Sequence, residues 1–152
     1  MSNHTADDGE VLSTSESWTR LRETPVGRLA VVVHGHPDIF PVNHLVDHGS
    51  LLFRTAEGTK LDGAVGHLVA FEVDGYDLET GTAWSVVVKG QAAEVIRMDD
   101  IIDVMGYPLF PWHMGHKPRF IRIEPVSVTG RRYVVAGGAR TLNGPVATAD
   151  AS

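Results

Sequence analysis

The chain has no cysteine. That one absence removes disulfide bonds, thiolate metal sites and cysteine nucleophiles together, and it fits a reducing compartment. Long apolar runs are missing too, since no segment approaches the roughly 20 apolar residues of a membrane-spanning helix. The N-terminus, Met1 to Asp8, has neither the basic region nor the apolar stretch of a secretion signal. A cytoplasmic protein without a membrane partner is therefore expected. Positive charge is scarce, with 13 Lys and Arg against 19 Asp and Glu and a net charge of −6. No basic tract can neutralise a row of phosphates, so a nucleic-acid partner is not expected and any phosphate site must be local. Familiar catalytic fingerprints are absent as well. No Gly-x-Gly-x-x-Gly leads a strand into a helix, and Ser85 does not sit in a Gly-x-Ser-x-Gly elbow.

What is present describes one domain: 152 residues can enclose a single sizeable core but not two. Sixteen glycines point to many turns, as in a β-rich fold. Residues 1–14 are polar, acidic and small and read as a disordered tail. Ser15 or Ser17 can cap a short helix running to Glu23 that covers one end of a barrel. Arg28 to His34 is an apolar run short enough for a buried strand, residues 35–38 read as a turn, and Ile39 to Asp47 reads as the returning strand. His48-Gly49 is a second tight turn into Leu51 to Thr55. Leu68 to Asp74 is a further strand, residues 75–81 a loop, and Ala83 to Val95 a long strand in which Gly90 suggests a bulge. Met98 to Met105 reads as a helix, and Tyr107 to Pro118 as a Pro-bounded aromatic loop. Arg119 to Thr129 is a sixth strand with Pro125 at an edge or bulge, Arg131 to Val135 a seventh, and residues 136–152 a flexible tail. The expectation is a mainly β fold, a six- to seven-stranded antiparallel split barrel with small helices, over residues 15–135.

The most informative stretch is Leu51 to Leu61, where an alternating strand runs into a helix start. Backbone N–H groups at that start, with the Arg54 fork, the Thr55 and Thr59 hydroxyls and the Lys60 ammonium, have the chemistry to hold a phosphate. The plainer alternative is that Thr55 or Thr59 caps the helix while Arg54 and Lys60 are solvated charges. Glu57 favours that alternative, because a carboxylate in the first turn already satisfies the helix dipole.

Several segments in this order resemble the pyridoxamine 5′-phosphate oxidase-like split barrels, a broad family of flavin-nucleotide-binding proteins. They are Val26-Gly27-Arg28-Leu29-Ala30, Phe40-Pro41-Val42-Asn43-His44, Leu52-Phe53-Arg54-Thr55 with Gly58-Thr59-Lys60-Leu61, Phe71-Glu72-Val73-Asp74, and Trp84-Ser85-Val86-Val87-Val88-Lys89-Gly90-Gln91-Ala92. The resemblance spans about residues 17–130. It implies a homodimer with FMN, or in some branches the deazaflavin F420, in clefts between the protomers. It also implies that the backbone around Pro41, Val42, Asn43 and His44 meets the ring edge and that Arg54, Thr55, Thr59 and Lys60 hold the phosphate. Trp84 and Ser85 would reach the ribityl chain or ring. The Arg and His pattern with which pyridoxamine phosphate oxidases hold substrate phosphate is not found near the C-terminus, which argues against that specific activity.

Eight histidines raise a metal or haem reading. The pairs His34/His36, His44/His48 and His113/His116 are two, four and three residues apart, and neutral imidazoles are common ligands. Gly35 and Pro37 break the first pair's strand, and His44 suits a flavin edge or substrate contact better. The functional expectation is thus a flavin-dependent oxidoreductase acting on a small planar acceptor, with no catalytic residue assigned and no metal. The alternatives are a non-enzymatic flavin or F420 carrier and a haem-binding split barrel. The Phe110 to His116 loop is expected to form a lid.

Overall fold

The computed structural model describes residues 9–55, 60–96 and 119–135, with the side chains of residues 60 and 61 left out of the description. A short strand β1 (Glu10–Val11) leads into helix α1 (Thr14–Glu23). Then come β2 (Val26–Val33), β3 (His36–Asn43), β4 (Leu45–Asp47) and β5 (Ser50–Thr55). A 3-10 turn η1 (Lys60–Ala64) precedes β6 (Leu68–Asp77), β7 (Thr82–Glu94) and β8 (Arg119–Val134). The strands form one sheet in the order β3-β2-β6-β7-β8-β5-β4, with β1 added on β8, and every pairing is antiparallel. The expected mainly β antiparallel split barrel is the fold found.

Local chemistry explains the hairpins. His34 (φ 54°) with Gly35 (φ 78°), and His48 (φ 50°) with Gly49 (φ 77°), supply the two consecutive left-handed residues that a tight two-residue hairpin needs. The first turn therefore falls at 34–35 rather than 35–38, and His36 already pairs with Val33. Pro37 and Pro41 sit on β3, an edge strand, where a missing N–H leaves no ladder bond unmade.

Among the described residues the sheet has eight strands rather than six or seven, β6 runs on to Asp77 so that the expected 75–81 loop shortens to 78–81, and three further boundaries are corrected. Residues 10–14 do not stay in a tail, because β1 pairs with β8, Leu12 is buried, and Ser13 caps α1 in a reciprocal box with Glu16. The strand expected over Ile39 to Asp47 is broken at His44 into β3 and β4. The sixth and seventh strands are one continuous strand, β8. The expected Met98 to Met105 helix, the Tyr107 to Pro118 loop and the 136–152 tail lie outside the described residues.

The core sits inside the curl of the sheet and is built from alternate residues of each strand. Leu29 and Val31, Phe71 and Val73, Val86 and Val88, Leu51 and Phe53, and Ile121 and Ile123 meet there under Leu12 and Leu21. In β8 the inward residues change from odd to even numbers, from Ile121 and Ile123 to Val128. A bulge opposite Lys89 and Gly90 makes that change, since Lys89 faces Ser127 and Gly90 faces Pro125, leaving Val126 as the extra residue. A smaller cluster of Leu52, Val95 and Phe120, with Leu45 against it, forms on the opposite face of β5 and β8.

Candidate functional site

Because side chains alternate along a strand, each expected site residue can be assigned to the inner or outer face of the sheet. Val42 packs against the core, so its neighbours Pro41 and Asn43 point outward and are exposed. On β7, Trp84 packs against the core with Val86 and Val88, which turns Ser85 outward. On β5, Leu51 and Phe53 belong to the core, so Arg54 leaves the outer face beside Leu52, directly opposite Phe120, and both Arg54 and Thr55 are half-buried. Lys60 opens η1. Thr59 and the Lys60 side chain lie outside the described residues.

Pro41, Asn43, Arg54 and Ser85 share the outer face but are not brought together there: Arg54 stands opposite Phe120 and Ser85 opposite Arg131, at the two ends of β8. Trp84 and His44 are turned the other way. Ser85 and Trp84 consequently do not reach one ring from the same face, as had been expected of them. The Trp84 indole lies against Gly75, its partner across the ladder, and the Arg20 guanidinium from α1 stacks 4.7 Å above the ring centre. His44 is buried. Its Nε2 lies 2.8 Å from the Leu21 carbonyl, its backbone N–H donates to the Pro25 carbonyl, and its ring meets Phe71 edge-on at 4.7 Å. Burial holds the imidazole pKa below the ordinary histidine value, although the Leu21 and Pro25 carbonyls pull the other way.

Two ion clusters were not anticipated. On the outer face, Arg28 Nη1 lies 3.2 Å from Glu72 Oε1 and 3.1 Å from Asp74 Oδ1. Burial pushes the Glu72 carboxyl up, the neighbouring Asp74 adds to that rise, and Arg28 opposes it. Glu72 and Asp74 were legible as same-face neighbours two apart on a strand. Arg28 was not, because only the β2–β6 register places it opposite Glu72. At the far end of the sheet, Arg119 on β8 forks onto Glu94 of β7 at 3.0 and 2.7 Å and also donates to Asp62 of η1. Among the described residues no group of three or more His, Asp or Glu side chains is arranged to hold a metal ion. No helix among them is long and apolar enough to cross a membrane.

A flavin nucleotide asks for a charged anchor for its phosphate, polar contacts at the ring edge and a flat apolar wall. Arg54 fits the anchor, whereas alternation turns the Thr55 side chain to the side of Leu51 and Phe53, so only its backbone is beside Arg54. Asn43 and Ser85 have the chemistry of edge contacts, but Ser85 lies too far along the sheet from Arg54 to meet the same flavin within one chain. Trp84 does not fit the wall, since it packs against the core, lies against Gly75 and carries the Arg20 guanidinium over its ring.

This fold is that of the pyridoxamine 5′-phosphate oxidase-like split barrels. The pyridoxamine 5′-phosphate oxidase family model matches residues 13–132, and the chain belongs to that family. It is 36% identical over 129 residues to the uncharacterised protein Rv0080 of Mycobacterium tuberculosis, covering 81% of this chain and 84% of the relative. Among solved structures, the FAD binding protein from Mycobacterium smegmatis superposes with a TM-score of 0.76 at 37% identity, over 82% of this chain and 98% of that one. A conserved protein of unknown function from Corynebacterium diphtheriae matches with a TM-score of 0.73 at 35% identity, over 85% and 100% of the two chains.

Proposed function

We propose that this chain binds a flavin nucleotide, FMN or its adenylated form FAD, on the outer face of its sheet. We further propose that it works as a homodimer that passes electrons from an external donor to a small planar acceptor. The observation that carries this reading is the 37% identity to a solved FAD binding protein over nearly the whole of that relative. Arg54 and the Thr55 backbone are the described groups assigned to the phosphate, with Lys60 beside them at the start of η1. Pro41, Asn43 and Ser85 are assigned to the ring edge and ribityl chain of the flavin anchored by the partner copy, because Ser85 stands at the other end of β8 from Arg54. When bound, the flavin supplies the redox chemistry, and the protein's share is orientation, exclusion of water and the local field.

A second copy of the chain is assigned to the same face. Val32 is 61% exposed, Ile39 62% and Leu68 62%, and all three stand on the outer face with the small residues Ala30 and Ala70 among them. A flat apolar surface of this kind on a sheet suits another copy of itself.

The decisive experiment is a mass spectrum of the small molecules released when the purified protein is denatured, followed by titration of the flavin-free protein with FMN and FAD. Released or tightly bound flavin supports the reading. Neither release nor binding of any flavin overturns it, F420 in place of FMN or FAD would change the cofactor, and a haem spectrum would favour the haem-binding alternative. Turnover with a nicotinamide donor distinguishes an oxidoreductase from a carrier, which would hold flavin without turnover.

A further inference from the structure

We propose that Arg119 is a positioning residue for the phosphate anchor and acts through η1, an inference that rests on the flavin reading above. Nε and Nη2 of Arg119 donate to the two oxygens of Glu94 at 3.0 and 2.7 Å, while Nη1 donates to Asp62. One half-buried fork thus joins the start of β8, the end of β7 and η1, three segments remote from one another in sequence. Across the β5–β8 ladder the residue facing Arg119 is Thr55, the neighbour of Arg54. The Asp62 carboxylate stands two residues beyond Lys60 in the same 3-10 turn. The fork therefore lies between the two pieces of backbone that carry the anchor's cations.

Strand cohesion does not call for the third partner. Strands β7 and β8 already pair over most of their length, and Glu94 alone occupies two of the fork's donors. What the Asp62 contact adds is a fixed distance between η1 and the end of β5. All three guanidinium nitrogens of Arg119 are engaged by Glu94 and Asp62, so the trio acts by holding the cradle rather than by touching the ligand.

The test compares two ligands on the full-length protein: FMN, which carries the phosphate, and riboflavin, which lacks it. For Asp62→Asn the expected result is an FMN affinity lowered about tenfold, riboflavin affinity within about twofold of wild type, and little change in the melting temperature of the flavin-free protein. Arg119→Gln should act in the same direction and more strongly. Arg119→Lys keeps the charge but not the fork and should recover only part of the loss. Equal losses for both ligands, or no loss for either, overturn the proposal. Arg54→Ala separates the two levels: if it leaves the FMN-to-riboflavin ratio unchanged, the anchor reading itself is wrong. If it lowers that ratio while Asp62→Asn does not, only the role of Arg119 falls. A wild-type protein that binds neither ligand overturns both.

Discussion

The ring of His44 donates through Nε2 to the main-chain carbonyl of Leu21, 2.8 Å away, and so ties the end of α1 to the break between β3 and β4. The carbonyl can only accept, which assigns the proton to Nε2. Burial is the main cause that holds this imidazole below its ordinary pKa of 6.5. The folded chain thus takes up a proton at His44 at lower pH than the unfolded chain does. Stability from this site is complete above about pH 6.5 and is lost as the pH falls below it. We expect the urea midpoint to drop on going from about pH 7.5 to pH 5.5, and His44→Gln to be less stable at the higher pH but to lose part of that slope. Parallel pH profiles for the two proteins would show that His44 does not titrate on unfolding.

At Gly90 the β8 bulge brings a carbonyl close to the β7 backbone. A Cβ built there would stand 2.2 Å from the Glu124 oxygen and 3.0 Å from the Ile123 Cγ2. Backbone has to move to make room, so Gly90→Ala should cost about 1–3 kcal/mol or more, as overpacking does elsewhere. Chemical denaturation measures it, and an unchanged midpoint would rule out the bulge at this position.

The bulge was legible in advance because Gly90 and Pro125 both interrupt strong strand patterns; the His48-Gly49 turn was legible in place, whereas the turn at 34–35 and the start of the loop after β6 were each misplaced by up to three residues. The break at His44 was not. Ile39 to Asp47 alternates like one strand, and what divides it are tertiary partners, the Pro25 and Leu21 carbonyls. The capping box Ser13-x-x-Glu16 was present in the sequence but hidden among further hydroxyl residues, Thr14, Ser15 and Ser17. Thr129-Gly130 looked like a turn between two strands, whereas the Gly130 carbonyl accepts from Leu12 as the chain enters α1 over an unbroken β8. At the site, alternation alone separates Trp84 from Ser85, a consequence available from the sequence once Val86 and Val88 are taken as core. The Arg119 network was out of reach, because a register between β5, β7 and β8 cannot be read locally.

Arg122 of β8 reaches back to the β4–β5 hairpin, with Nη1 2.9 Å from Asp47 Oδ2 and 2.6 Å from Ser50 Oγ. The Asp47 side chain is only 10% exposed, and deleting Arg122 would take one partner from this nearly buried carboxylate while leaving His48 Nδ1 2.7 Å from its other oxygen. Arg122→Met is expected to destabilise the protein by about 1–3 kcal/mol, and Arg122→Met with Asp47→Asn to lose less than the sum of the two single variants. A double-mutant cycle on unfolding free energies checks the coupling, and simple additivity would contradict it.

The outer-face dimer makes its own prediction. Ile39 on β3 lies opposite Ala30 of β2, in the row that continues to Ala70 and Lys89. Ile39→Asp puts a charge at the β3 end of that surface at no cost to the barrel core, since the side chain is exposed in the single chain. Light scattering should find a dimer for wild type and a monomer for the variant, with flavin affinity reduced alongside. A variant that remains dimeric would move the interface to another face.

The anchor is the most direct place to test the cofactor. Arg54 leaves the outer face opposite Phe120, next to the Leu52, Val95 and Phe120 cluster, where a charge-assisted contact to phosphate is partly shielded from water. Lys60 opens the neighbouring turn and offers a second cation at short range in sequence. Removing both, as Arg54→Ala with Lys60→Ala, is expected to weaken FMN binding by about 2–4 kcal/mol, while riboflavin, with no phosphate to lose, should bind nearly as before. Raising the ionic strength should reduce the wild-type affinity for FMN more than that for riboflavin, because exposed charge pairs are screened and stacking is not. If fluorescence titration finds FMN affinity unchanged in the double variant, the phosphate is held elsewhere and the end of β5 is only a solvated strand terminus.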